Sequence, residues 1–261
     1  LAEGDERLLV VMGCLVGDRQ DLRSRYPFVD RFLAPSDVSG ALACADAFLG
    51  RDGDEPMLHS PESTAAQISD MVPISYGCDH HCTYCIVTIR RGPQRSRPVQ
   101  DILEDVRDLV ARGAKEVTLL GQNVDAYGTD WVGGPDLADV LHAVHEIEGL
   151  WRIRFLTSHP SDMTQRVIDA VAALPRVCPS WELAVQSGDD DVLRRMGRGY
   201  RIEAFRDLVS RIRESMEISA VNTDIIVGSP GETPGQFQHT LDLVRDMRFD
   251  LVHVAAYSPR P

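Results

Sequence analysis

The sequence predicts an α/β protein: a partial (β/α)6 barrel over residues 71–261, a linker over 51–70, and part of a small α/β domain over 1–50. Three observations carry this. After the linker, six short apolar runs alternate with stretches of helical length, and strands joined by crossover helices form a parallel sheet that rolls up. Each run ends in a polar or glycine-rich phrase. The 261 residues suffice for one large domain plus a fragment of another.

Leu8-Leu9-Val10-Val11-Met12 is a continuous apolar run and reads as a buried strand. It ends in Gly13-Cys14-Leu15-Val16-Gly17, whose glycines permit a tight turn and leave Cys14 at the strand's C-terminal end, where α/β folds place ligands. A short helix over 18–25 and a strand over 28–33 follow. Pro35-Ser36-Asp37 then caps a helix over 38–49. From 50 to 70 the chain is polar, turn-rich and aperiodic, as a linker is.

The first barrel strand is Val72-Pro73-Ile74-Ser75-Tyr76, and a helix to about Arg112 opens at Ser96-Arg97-Pro98 with proline in its first turn. Strands over 116–120, 152–156, 181–185, 219–227 and 251–256 alternate with helices over 135–147, 163–174, 189–196, 202–215 and 234–247. The phrases after the strands are Gly77-Cys78, Gly121-Gln122-Asn123, Thr157-Ser158-His159, Gln186-Ser187-Gly188, Gly228-Ser229-Pro230-Gly231 and Tyr257-Ser258. In a parallel barrel these meet at one face, where such folds do chemistry.

Composition narrows the function. The chain is 43% hydrophobic and 26% charged, and no apolar run approaches the ~18 residues of a membrane helix. Its first residues show no basic segment followed by an apolar core, so no signal peptide is expected, and from the start in mid-pattern a fragment is expected. A net charge of -13 argues against a large non-specific surface for nucleic acid. The six cysteines are not a disulfide framework, so a reducing cytoplasm is expected. Cys44 and Cys178 read as small buried hydrophobes.

Cys78-Asp79-His80-His81-Cys82-Thr83-Tyr84-Cys85 sets three cysteines in a C-x3-C-x2-C spacing. Three thiolates are too few for a closed structural zinc site. They suit a cubane iron–sulfur cluster with one iron left open to bind and reduce something. A zinc site completed by His80 or His81 is the alternative. The amides of Gly121-Gln122-Asn123 suit an amino acid's ammonium and carboxylate, or form a structural loop. Arg90, Arg91, Arg95 and Arg97 form the one dense basic stretch, either a landing site for RNA phosphates or a solvated loop paired with Asp101 and Glu104.

These phrases together resemble the radical S-adenosylmethionine (SAM) methylthiotransferases. The resemblance is carried by Gly77-Cys78 through Tyr84-Cys85, Arg91-Gly92, Ser96-Arg97-Pro98, Leu120-Gly121-Gln122-Asn123-Val124, Thr157-Ser158-His159-Pro160, Val185-Gln186-Ser187-Gly188 and Ile226-Val227-Gly228 with Pro230-Gly231-Glu232-Thr233. They run in order over 72–261, and the Gly-Gln-Asn phrase is similar to the tRNA-modifying, MiaB-like branch more than to the RimO branch that modifies a ribosomal protein.

The resemblance implies a radical SAM barrel and insertion of a methylthio group at C2 of an N6-modified adenosine beside the tRNA anticodon. One SAM would give the methyl group and a second the radical. Cys78, Cys82 and Cys85 would hold the catalytic [4Fe-4S] cluster, with Tyr84, Gly121, Gln122, Asn123, Ser158, Gln186, Arg198 and Ile226 around SAM. Val11-Met12-Gly13-Cys14-Leu15 resembles the phrase holding one ligand of a second [4Fe-4S] cluster; two more cysteines are expected upstream of Leu1, and an RNA-binding TRAM domain after Pro261. The implied partners are tRNA, through Arg90, Arg91 and Arg95, and an electron donor such as a flavodoxin or ferredoxin; no membrane is implied. A ribosomal-protein substrate, or a zinc-stabilised module with a dead barrel, are the other readings.

Overall fold

A computed structural model describes residues 7–13, 16, 22–33, 37–49 and 67–259. The chain divides into two compact units, residues 1–64 with 89–92, and residues 65–88 with 93–261.

In the first unit, β1 (Val10–Met12) is followed by α1 (Leu22–Arg25), β2 (Arg31–Leu33) and α2 (Val38–Leu49). The two strands pair in parallel, Val10 opposite Arg31 and Met12 opposite Leu33. Asp37 starts α2 by accepting the Gly40 N–H at 2.9 Å. The second strand is shorter than the apolar run predicts. Phe28 lies in a turn closed by Val29 N–H on Tyr26 O at 3.1 Å, and the Asp30 side chain accepts Leu9 N–H at 2.8 Å where a ladder bond would otherwise form. Cys14, and with it the expected ligand of a second cluster, lies outside the described residues, as does most of the linker.

In the second unit, β3 (Ser69–Pro73) leads to β4 (Ser75–Tyr76) and, past α3 (Val87–Arg91), whose Ile89–Arg91 group with the first unit, to β5 (Arg95–Ser96) and α4 (Val99–Ala111). Then come β6 (Glu116–Leu120), a 3-10 turn (Val124–Ala126), α5 (Leu137–His145), β7 (Arg152–Phe155), α6 (Gln165–Ala173) and β8 (Ser180–Glu182). The order closes with α7 (Asp190–Met196), α8 (Ile202–Ser215), β9 (Ala220–Val227), α9 (Pro234–Met247) and β10 (Leu251–Ala256). Parallel ladders join β3, β6 and β7, and again β8, β9 and β10. Parallel bridges Ile153–Val177 and Ser158–Leu183 link the two sets, so six strands follow one another in sequence order as an open barrel.

Two expectations shift. The predicted strand over 72–76 is two elements: β3 begins earlier, at Ser69, and Ser75–Tyr76 turns away to pair antiparallel with Arg95–Ser96. Pro73, with no N–H to give, sits at that break. The basic stretch, read as loop, contains the helical turn α3.

Strand alternation separates core from inner face. Val117, Leu119, Ile153 and Phe155 are buried with Ile102 and Val106 of α4, Leu141 and Val144 of α5 and Ile168 of α6. Trp181 packs edge-on against Phe155, 5.5 Å between centroids. Each such side chain contributes about 1.5–3 kcal/mol by leaving water. The alternate residues pair among themselves on the inner face: Arg152 to Glu116 at 2.8 Å, and Asn222 to Glu182 at 3.2 Å. Among the described residues no helix is long and apolar enough to cross a membrane.

Candidate active site

The cysteine loop leaves β4 through Gly77, whose φ of 72° is the left-handed turn that glycine takes at no steric cost. Cys85 N–H closes onto Cys82 O at 3.0 Å. The loop docks on the end of α7: Thr83 donates its N–H to Met196 O and its hydroxyl to Arg195 O, both at 2.9 Å. Two carbonyls that a helix terminus leaves unpaired are thereby satisfied. Gly197 follows at φ +72°, and a Cβ there would stand 3.0 Å from His81 O.

Arg198 comes next and is 4% exposed. Its Nη1 lies 3.7 Å from Cys82 Sγ and 3.3 Å from the Tyr84 hydroxyl, its Nε donates to Tyr200 OH at 3.2 Å, and its Nη2 donates to Ala184 O. The guanidinium is thus a clamp on the loop, and all its nitrogens have protein partners. Burial raises the Tyr84 phenol above its ordinary range, although Arg198 pulls the other way.

Burial also pushes the Cys78 thiol up, against the His80 N–H on its sulfur at 3.4 Å, and Cys82, Cys85 and Asp162 push further the same way. Among the described residues, His80, His159 and Asp162 form a trio whose ligand atoms all lie within 4.8 Å of each other. Three cysteines on one loop suit a cluster that gives each thiolate its own iron and leaves a fourth iron open. Neither expected histidine completes a zinc site: His81 is exposed, and His80 turns its Nε2 to Asp162 Oδ2 at 2.5 Å.

Asp162 is the hub of the facing wall. Its Oδ2 accepts from His80 and from Asn123 Nδ2. Burial opposes its charge, but those donors hold its carboxyl below the ordinary range. The His80 ring stacks on His159 at 3.8 Å and 12°, and His159 meets Tyr200 edge-on at 5.9 Å. Burial, then the charges of Arg198 and His80, push His159 down to about 3. Its Nδ1 accepts the Ser161 N–H at 3.3 Å. The proton therefore sits on Nε2, which is buried without a partner.

Asp125, fully buried, underlies the Thr157-Ser158-His159 turn. Ser158 Oγ donates to it at 3.0 Å and His159 N–H at 3.1 Å. Burial pushes its carboxyl up to about 8, with Ser158 opposing and Asp162 adding. Thr157 and Gln186 hold φ of 73° and 72°, strained for side-chain-bearing residues and worst for a β-branched one. Both stand at strand C-terminal ends, where strain marks a site held in shape for a ligand.

The expected ligand residues fall into groups. Tyr84 and Arg198 meet at Cys82; Asn123 meets the loop through Asp162. Gly121 is fixed by close approach, since a Cβ would come 2.5 Å from Ser75 Oγ. Gln122 is half-buried. Gln186 binds Asp224 O and Ile226 N–H through its backbone at 2.8 and 3.0 Å, which sets Ile226 beside it. Its Oε1, like Asn123 Oδ1, is buried and unpartnered. Ser158 spends its hydroxyl on Asp125. Of the arginines, Arg95 is exposed on β5, Arg90 and Arg91 group with the first unit, and Arg97 is taken up by Pro73 O at 2.7 Å and Asp105 at 2.8 Å, not by Asp101 or Glu104. Sequence reading put His159 in a strand-end phrase without a role of its own, and missed Asp125, Asp162 and Tyr200 as parts of the site. None has ligand-like spacing, and only the proximity of Asp125 and Asp162 to strand-end phrases could have flagged them.

The family model of the radical SAM superfamily matches residues 72–244. The chain belongs to the radical SAM superfamily. A tRNA-2-methylthio-N(6)-dimethylallyladenosine synthase from Roseiflexus sp. (strain RS-1) is 49% identical over 255 residues, 97% of this chain and 53% of its own length. One of the same name from Herpetosiphon aurantiacus is 46% identical over 261 residues, 99% of this chain and 59% of its own length. The chain thus spans little more than half of these relatives. The radical SAM methyltransferase TsrM from Kitasatospora setae, solved with cobalamin and a [4Fe-4S] cluster, is similar in fold: TM-score 0.59, 15% identity, over 72% of this chain and 36% of that one. As a radical SAM protein, the chain uses SAM and a [4Fe-4S] cluster, and the three-cysteine donor set of the loop suits the latter.

Proposed function

We propose that this protein is a radical SAM methylthiotransferase that places a methylthio group on C2 of an N6-modified adenosine beside the tRNA anticodon. The observation that carries this is the identity of 49% and 46%, over nearly the whole chain, to relatives named for that modification. Cys78, Cys82 and Cys85 would hold the [4Fe-4S] cluster. When bound, cluster and SAM supply a radical able to take hydrogen from an unactivated C–H bond.

The chain's own residues position and seal. Arg198 and Thr83 hold the cysteine loop through contacts made by the protein alone. Gly121, Gln122 and Asn123 receive the amino-acid end of SAM, Asn123 and Gln186 through amide oxygens left free in a buried setting. Ile226 and Tyr84 offer apolar area beside them. The polar inner face, with Glu182 and Asn222, leaves room for a base to be read by hydrogen bonds.

The domain division follows: residues 1–50 as part of the methylthiotransferase domain with Cys14 toward a second cluster, 51–70 as linker, and 71–261 as barrel. Arg90, Arg91 and Arg95 meet tRNA phosphates, a flavodoxin or ferredoxin supplies electrons, and the protein works in the cytoplasm. The test is mass spectrometry of nucleosides from tRNA, and of proteins from ribosomes, after incubation with the full-length protein, SAM and a reductant. A methylthio gain on the adenosine is expected; a gain only on a ribosomal protein would refute the substrate.

A further inference from the structure

We propose that the inner-face row Pro73, Leu120 and Leu156, with Met71 beneath it, is the wall that receives the N6 substituent of the adenosine, and that it selects an apolar substituent. The inference rests on the tRNA-adenosine reading proposed above and assigns specificity within that site.

Strand alternation decides which residues can do this. Val72, Leu119 and Phe155 point outward into the core formed with the helices, so their neighbours Pro73, Leu120 and Leu156 point inward. Register sets the three side by side. Pro73 stands opposite Leu120, and Leu156, whose N–H bonds Leu119 O at 3.2 Å, carries the row onto the end of β7. Met71 lies one inward position lower on β3. None of the four belongs to the buried core, and Met71 and Leu156 are 63% and 37% exposed.

Past β7 the wall changes chemistry. The Ser158–Leu183 bridge sets Glu182 of β8 near the height of Leu156. Asn222 pairs with Glu182 in register and donates to its carboxylate at 3.2 Å, and His253 stands 3.8 Å from the same carboxylate. Leu251, beyond Asn222, borders the open side of the barrel. Below Leu156, Arg154 and Arg152 share Glu116, at 3.5 and 2.8 Å. The apolar arc is therefore bounded by polar groups beside it and ions beneath it.

In adenine, C2 and C6 flank N1. With C2 turned toward the strand ends, where the radical forms, a substituent on N6 leaves the ring sideways and meets the wall. An apolar group laid on Glu182 and Asn222 would strip water from hydrogen-bonding groups and return no bonds. Laid on Leu156, Leu120 and Met71, it takes apolar surface of both partners out of water. The polar ring edge then remains toward Glu182 and Asn222.

The experiment measures equilibrium binding of anticodon stem-loops to the full-length protein, reconstituted anaerobically with iron and sulfide and kept without reductant. The loops carry unmodified adenosine, N6-dimethylallyladenosine, or an N6 substituent of similar length ending in a carboxylate. The parent protein is expected to bind the dimethylallyl loop about 10–100-fold more tightly than the unmodified one, the worth of partly burying a five-carbon group. Leu156→Asn and Met71→Gln should each lower that ratio several-fold, with iron retained and binding of the unmodified loop unchanged. Glu182→Gln should keep the ratio. Should Leu156→Asn lose iron, Met71→Gln decides alone. An unchanged ratio in the variants that retain iron would overturn the proposal. So would a ratio lost in Glu182→Gln, or a parent preference for the carboxylate-ended substituent, which would move the contact to Arg154. A parent protein that binds none of the loops would instead sink the adenosine reading itself, a result distinct from these.

Discussion

Arg198, 116 residues beyond Cys82 in sequence, sets its Nη1 3.7 Å from the cysteine sulfur. Its other nitrogens tie Tyr200 and Ala184 into the same contact. Arg198→Leu should leave the Tyr84 hydroxyl and Ala184 carbonyl without their donor, at about 1–3 kcal/mol for each buried group. Arg198→Lys should rescue little, because an ammonium cannot reproduce the planar fork. Urea unfolding gives the stability loss, and iron retention after desalting gives the effect on the loop.

Gly197 and Gly199 share a φ of +72°, yet only Gly197 has His81 O where a Cβ would go, at 3.0 Å. Alanine at either position should cost about 1–2 kcal/mol of left-handed strain. Gly197→Ala should in addition displace the cysteine loop and lower iron content several-fold, while Gly199→Ala should retain it. Paired melting curves and iron assays check both halves.

The buried Asp125 gives a pH signature. Its carboxyl titrates near 8 in the fold, above the ~3.9 of the unfolded chain. The folded state then holds a proton that the unfolded state has lost between those values. The stability it contributes is complete below about pH 4, and is lost as pH rises toward 8. Asp125→Asn removes this slope. The stability difference between the two proteins, measured by urea titration at pH 5, 7 and 9, should shift against the unmodified protein from 5 to 9 and level off above 8.

Much of the fold was legible because it rests on local pattern. α2, β6, α8, α9 and β10 fall where apolar period and caps place them; Thr233-Pro234, for one, starts α9 by capping box and N1 proline. β3 was misplaced because Ser69 and Asp70 look polar and irregular until β6 supplies their partner strand. The cysteine trio was readable from spacing alone. Asp162 was not, since its partners His80 and Asn123 lie 82 and 39 residues away and only the barrel brings them together. Arg97 misled for the opposite reason: it belongs to a basic run, but its side chain serves Pro73 O and Asp105.

Removing a charge from sequence-independent contacts has a salt signature. Arg90→Ala, Arg91→Ala and Arg95→Ala should each weaken tRNA binding to the full-length protein similarly for modified and unmodified anticodon loops. Each should flatten the plot of log affinity against log salt by about 0.7–0.9 per phosphate contact removed. Filter binding from low to high salt reads both quantities, and an unchanged slope would remove that arginine from the interface.

The most direct measurement compares full-length protein with its Cys82→Ala variant after anaerobic reconstitution, following iron, sulfide and deoxyadenosine released from SAM under reducing conditions. Iron and sulfide binding with SAM cleavage in the unmodified protein, and loss of both in Cys82→Ala, is the expected result. A stable stoichiometric zinc with no SAM cleavage would contradict it.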